Sequence, residues 1–180
     1  MKRLFIAIKI KPEEPFIMMF NHIQKFLYNE KISWTDINNT HLTLKFLGDT
    51  DEKKIPQLKN IVDDINNSLN PFELILSSVK LFGSSYKPNI IWVEIEKNKY
   101  LDSIYSNLIT KLKTLNINAD RQNFVPHITL GRISKLKDKT LLNKIVNLYS
   151  DTFFQSSQVT EIILYESILQ QHHPPIYIEL

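Results

Sequence analysis

A chain of 180 residues with 43% hydrophobic side chains and a formal net charge of +3 has the size and composition of one soluble globular body, and too little charge to mark a protein that coats nucleic acid. The chain has no cysteine, which removes disulfides, thiolate catalysis, iron–sulfur clusters and Cys-ligated zinc. Three glycines (Gly48, Gly83 and Gly131) cannot write a dinucleotide fingerprint or a P-loop, so a bound phosphate would have to be held by hydroxyls, histidines and isolated backbone N–H groups.

In chain order, Arg3 to Ile10 (R-L-F-I-A-I-K-I) reads as a buried strand. Its apolar run, broken by Lys9, is too short for a signal peptide with its cleavage site or for a membrane span. A cytoplasmic protein with no membrane partner is therefore expected. Pro12 opens a helix to about Tyr28, with Phe16, Met19, Phe20, Ile23, Phe26 and Leu27 at helical spacing. His22 within it is an ordinary surface or boundary histidine. Ile32 to Asp36 is ambiguous, and Thr40 to Leu47 is a strand closed by Gly48.

Asp49-Thr50-Asp51 offers N-caps for a helix to about Asn67. Two strands follow, Phe72 to Leu81 and Asn89 to Glu96, separated by a Gly83-Ser84-Ser85 turn and expected to pair antiparallel. A helix from Lys99 to about Leu115 leads to a strand from Asn123 to Ile133. Ser134 or Asp138 then caps a helix to about Tyr149. The end holds strands near Phe153 to Leu164, a stretch open to a break, and Pro175 to Leu180, with a polar, turn-like stretch from Glu166 to His173 between them. Strands in pairs between helices predict an α+β fold with mainly antiparallel sheets. Each half supplies one H-x-T-L strand, a following helix and a strand pair, so the 180 residues read as one domain of two intertwined lobes meeting at the motif strands.

Those motif strands carry the chemistry. Asn39 to Gly48 reads N-T-H-L-T-L-K-F-L-G and Pro126 to Arg132 reads P-H-I-T-L-G-R. Strand side chains alternate faces, so His41 shares a face with Thr43, and His127 shares one with Thr129. A hydrophobic core has no use for His and Thr at matched positions on two strands 86 residues apart. Imidazole gives or takes a proton near neutrality, and two of them facing one site divide the work of general acid and general base. With two hydroxyl donors beside them they suit phosphodiester cleavage without a cofactor or metal. Zinc would need three or four converging ligands, and only His22, His172 and His173 remain, in no H-x-x-x-H or H-E-x-x-H pattern.

The two motifs and their surroundings resemble the paired H-x-T-x signatures of the two-histidine phosphoesterase superfamily, and within it the RNA 2′,3′-cyclic phosphodiesterases, once named 2′-5′ RNA ligases. The similarity extends to the opening R-L-F-I-A-I strand and to E-I-I-L-Y-E-S-I-L at Glu161 to Leu169. It implies a bilobal fold around a pseudo-twofold cleft. The implied activity is metal-independent hydrolysis of a terminal 2′,3′-cyclic phosphate to a 2′-phosphate, with RNA 3′ ends, or short oligonucleotides or nucleotides carrying the cyclic phosphate, as partners and a monomeric enzyme. By motif position His41 would protonate the leaving 3′ oxygen, His127 would activate water, and Thr43 and Thr129 would hold phosphate oxygens. From the residues alone the acid and base roles can be exchanged. 2′-5′ joining or cleavage in the same cleft, or an idle nucleotide-binding module, remain as alternatives.

Arg132 matches a basic position of the second signature, where it would contact phosphate. Strict alternation turns it away from His127, unless a bulge or turn at Gly131 re-aims it. Lys45 falls on the His41 face by alternation, to line the cleft or to sit in solvent. Phe46 and Leu47 are expected beneath the site, Trp92 in the core, and Tyr86 or Trp92 could stack on a base. The tail Q-Q-H-H-P-P at Gln170 to Pro175 departs from the usual glycine turn, with His172 and His173 as exposed loop histidines.

Overall fold

The computed structural model describes residues 1–84, 86–121, 123–171 and 174–180. Among the described residues nine strands form two sheets in which every neighbouring pair is antiparallel. The first has the order β3-β1-β8-β9, built from β1 (Lys2–Lys9), β3 (His41–Thr50), β8 (Ile163–Ile168) and β9 (Ile176–Glu179). The second has the order β2-β6-β5-β4-β7, built from β2 (Lys31–Trp34), β4 (Phe72–Gly83), β5 (Pro88–Ile95), β6 (His127–Lys135) and β7 (Phe153–Val159). The expected α+β class with antiparallel sheets is what the chain adopts.

Four α-helices among the described residues complete the layers. In α1 (Glu14–Phe26) the proline of the first turn is Pro15, and Phe16, Met19, Phe20 and Ile23 form the buried stripe. The helix that follows the first motif starts with a 3-10 turn at Glu52–Lys54, where Asp51 accepts from the Lys53 N–H, and continues as α2 (Ile55–Ser68). Asn98 caps α3 (Lys99–Lys113), accepting from the N–H groups of Tyr100 and Leu101. Of the two caps expected for α4 (Lys139–Leu148), Asp138 serves, accepting from the Leu141 N–H. Ser134 stays in β6 and donates to the Lys31 carbonyl.

One large apolar cluster joins the inner faces of both sheets to the helices, drawing Leu4, Ile6 and Ile8 from β1 and Leu74, Leu76, Ile91 and Ile128 from the second sheet. β1 is buried from Leu4 through Ile8 because its other face is covered too, where Phe5 and Ala7 pack with Tyr165. That second, smaller cluster lies against the first motif.

Three expectations are corrected. β6 starts at His127 rather than Asn123, because Pro126 has no N–H to give a ladder. β8 runs through Ile168, which pairs with Ile176, so Glu166 to Ile168 is strand and not turn. The sheets do not follow the halves of the chain. The pair β4–β5 joins β6 in the second sheet, while β8 and β9 return from the C-terminus to complete the first. Phe153 to Leu164 is broken as expected, and its two parts enter different sheets.

Candidate active site

His41 and His127 each open a strand, and each is held in the same way. The Nδ1–H of His41 donates to the carbonyl of Asn39 at 2.6 Å, and that of His127 to the carbonyl of Val125 at 2.7 Å. A carbonyl only accepts, so the proton must sit on Nδ1 and the second ring nitrogen, Nε2, is the one left to react. Aromatic rings fix both imidazoles. His41 has Phe5 and Tyr177 each 5.2 Å away, the latter edge-on. His127 stands edge-on to Phe82 at 4.9 Å and to Trp92 at 5.7 Å. Two strands from different sheets thus present equivalent, aromatic-backed histidines.

Both imidazoles line one cleft of about 460 Å³ together with Thr43, Thr129 and Arg132. The alternation of His41 with Thr43 and of His127 with Thr129 holds up to the threonines and then breaks at the same place in both strands. Opposite β1, Thr43 pairs with Ala7 and Lys45 with Ile6, leaving Leu44 as an extra residue. Opposite β5, Thr129 pairs with Trp92 and Gly131 with Ile91, leaving Leu130 extra. Each bulge inverts the alternation beyond it. Arg132 is thereby returned to the face of Thr129 and joins the cleft.

The same bulge overturns two expectations on β3. Lys45 is turned away from the His41 face; it is 4% exposed and its Nζ meets Asp120 at 2.6 Å. Phe46 comes out to the surface at 45% exposure, with the Arg3 guanidinium 4.7 Å from its ring, while Leu47 packs against the main core. Trp92 is buried and stacked on Phe82, a support for His127 rather than a free platform. Tyr86 is exposed beside Lys139 and does not line the cleft. His22 shares a hydrogen bond with the Tyr149 hydroxyl at 2.6 Å, outside the site. His172 and His173 lie outside the described residues.

The pattern of the sequence missed half of the wall. Ser33, Trp34, Thr35, Asp36 and Asn39 line the cleft on one side, and Pro174, Pro175 and Tyr177 complete it. The first group is fixed to the second motif, since the Thr35 N–H and hydroxyl both donate to the Leu130 carbonyl at 2.9 Å. Asn39 ties the other wall, donating from Nδ2 to the Pro175 carbonyl at 3.2 Å.

Burial pushes the pKa of both histidines below the ordinary imidazole value, against the opposing pull of the Asn39 and Val125 carbonyls. A further lowering comes to His41 from His127, and to His127 from the Arg132 cation. Burial raises the Tyr177 phenol, and both Arg132 and Arg3 counter it, so both guanidinium fields reach this cleft. Among the described residues no three His, Cys, Asp or Glu side chains converge as metal ligands. The arrangement is two imidazoles, two hydroxyls and one guanidinium around a space that fits an anion.

Residues 8–92, which include the first motif, match the model of the LigT-like phosphoesterases. The chain is similar to proteins named RNA 2′,3′-cyclic phosphodiesterase from Methanocaldococcus jannaschii (31% identical over 175 residues, covering 96% of this chain and 95% of the relative) and Thermotoga maritima (32% over 141 residues, 76% and 73%). Among solved structures, it superposes on a Thermus thermophilus protein with a TM-score of 0.80 at 22% identity, covering 99% of this chain and 94% of that one. It superposes on Escherichia coli LigT complexed with 3′-AMP with a TM-score of 0.72 at 22% identity, covering 99% and 95%. With a relative so similar over nearly its whole length, and with both histidine motifs seated in one cleft, this chain belongs to the LigT-like phosphoesterase family.

Proposed function

We propose that this protein hydrolyses the terminal 2′,3′-cyclic phosphate of RNA to a 2′-phosphate, with His41 and His127 as the acid–base pair. The observation that carries the reading is the matched pair of imidazoles, each with Nδ1–H on a carbonyl two residues back and Nε2 left for one shared cleft. The names of the relatives point to the same reaction.

In the proposed step, Nε2 of neutral His127 takes a proton from water as the water oxygen bonds to phosphorus. The bond from phosphorus to the 3′ oxygen breaks, and Nε2–H of protonated His41 delivers its proton to that oxygen. The Thr43 and Thr129 hydroxyls and the Arg132 guanidinium hold the non-bridging oxygens, where negative charge builds up in the transition state. The division of roles has physical support. The Arg132 cation acts on His127 and favours its neutral form, which is the form a base needs. We take the working form to be a monomer of two interleaved lobes, acting in the cytoplasm.

The test is purified protein in EDTA with an RNA oligomer ending in 2′,3′-cyclic phosphate, the product resolved as 2′- or 3′-phosphate. Wild type should give the 2′-phosphate. His41→Ala and His127→Ala should each lose about 10²-fold or more in turnover while remaining folded by circular dichroism. A 3′-phosphate product would reverse the direction of ring opening. Activity abolished by EDTA and restored by zinc would overturn the metal-free mechanism. No turnover would turn attention to 2′-5′-linked substrates.

A further inference from the structure

A cleft that receives a phosphate has an electrostatic reason to avoid carboxylates, yet Asp36 lines it. One of its oxygens is committed. Oδ1 accepts from both the backbone N–H of Asn38 at 2.9 Å and the Asn38 side-chain amide at 3.1 Å. Two donors fill the two lone pairs of that oxygen. Among the described residues nothing donates to Oδ2. Beside the polar Ser33, Thr35 and Asn39, the cleft also presents the flat rings of Trp34 and Tyr177 and the apolar Pro174 and Pro175. Surfaces of that kind take the face of a nucleobase, and a lone acceptor beside them reads its edge.

We propose that Asp36 reads the terminal nucleobase, with Oδ2 accepting a hydrogen bond from an exocyclic amino group. Adenine, cytosine and guanine each carry such a group. Uracil does not: its edge presents two carbonyl oxygens flanking one N–H, and those oxygens face the carboxylate with like partial charge. The substrate in this inference rests on the phosphodiesterase reading; the base preference rests on Asp36 alone. Asp36 is held in register by its own chain, because the Thr35 hydroxyl and N–H are fixed to the Leu130 carbonyl in the bulge of β6. The same bulge aims Arg132, so the proposed base reader and the phosphate cation are set by one irregularity.

Asp36→Asn separates this role from the capping one. The Asn oxygen still caps the Asn38 N–H, as Asn is as good a cap as Asp. The amide NH2 then takes the place of Oδ2 and offers a donor where an acceptor stood. Wild type and Asp36→Asn would be assayed in EDTA with four RNA oligomers identical but for a terminal adenosine, cytidine, guanosine or uridine 2′,3′-cyclic phosphate. Wild type should favour the three amino-bearing termini over uridine by about tenfold in kcat/KM, the scale of one discriminating hydrogen bond. In Asp36→Asn that preference should vanish or reverse toward uridine, with Tm unchanged. Equal kcat/KM for all four termini in wild type, or a preference that Asp36→Asn leaves intact, would overturn the inference. If wild type opened none of the four, the phosphodiesterase reading would fall instead. Calorimetric binding of the four nucleoside 2′-monophosphates to the same two proteins would then decide the base reader, with equal affinities counting against it.

Discussion

At the scale of single residues, the two histidines behave as a pair whose protonation is unequal by construction. Catalysis in the proposed form needs one imidazole charged and the other neutral, so kcat/KM should follow a bell in pH whose limbs belong to the pair. Burial lowers both values from the ordinary 6.5 in the free enzyme, so the singly protonated pair is most populated on the acid side of that value. The maximum of kcat/KM is therefore expected below pH 6.5. Arg132 deepens the effect at His127. Arg132→Met removes a nearby cation, raises the affinity of the pair for protons and should move the maximum to higher pH while lowering its height. A maximum that stayed in place would mean that the guanidinium does not act on the pair. His41, Thr43, His127 and Thr129 were legible in the sequence because their chemistry repeats in a matched context, something packing does not require. Asp36, Trp34 and Tyr177 were not. Nothing in S-W-T-D or I-Y-I-E distinguishes a cleft wall from an ordinary strand end, and their role exists only once both sheets are in place.

At the scale of elements, the bulges decide more than the strands do. Period-two alternation carries side-chain direction correctly from His41 to Thr43 and from His127 to Thr129. It fails at Lys45, Phe46 and Arg132, since the extra residue directly after each threonine inverts the residues that follow it. In β6 the residue just past the bulge is Gly131, and its smallness is used. A Cβ there would stand 2.8 Å from both Ile32 Cγ2 and Trp34 Cε3. Neither the branched Ile32 nor the ring of Trp34 is a free end that can swing aside. Gly131→Ala should therefore cost about 1–3 kcal/mol, the usual scale of overpacking, read as a lower urea midpoint. Trp34 is both the clashing neighbour and a cleft wall, so KM should rise as well. A stability loss with KM unchanged would show that β2 absorbs the strain without passing it to the cleft. On β3 the equivalent place is taken by Lys45, whose amine reaches Asp120. The two strands thus match in the histidine, the threonine and the bulge, and diverge directly after it.

At the scale of the whole molecule, sequence patterns located nearly every strand and helix but did not assign strands to sheets. Hydrophobic periodicity reports which residues are buried and is silent on which distant strand they pair with. The pairs β4–β5 and β8–β9 therefore looked like one per half, although each completes the sheet that carries the other half's motif. This exchange has an energetic consequence. The main cluster takes buried side chains from both sheets; β6 is held on both sides by β2 and β5 from the first half, and β8 and β9 from the second half complete the sheet of β3, so neither sheet has a complete core of its own. The protein should unfold in one cooperative transition, and a ligand in the cleft should stabilise all of it. Mass action gives about 2.7 kcal/mol at a ligand concentration of 100 Kd, which for a chain of this size raises Tm by about 5–10 °C. Calorimetric scans with and without a nucleoside 2′-monophosphate would show a single peak moving upward intact. Two peaks of which only one moved would mean that the sheets unfold as separate units, and that the exchange of strands between them does not couple their stabilities.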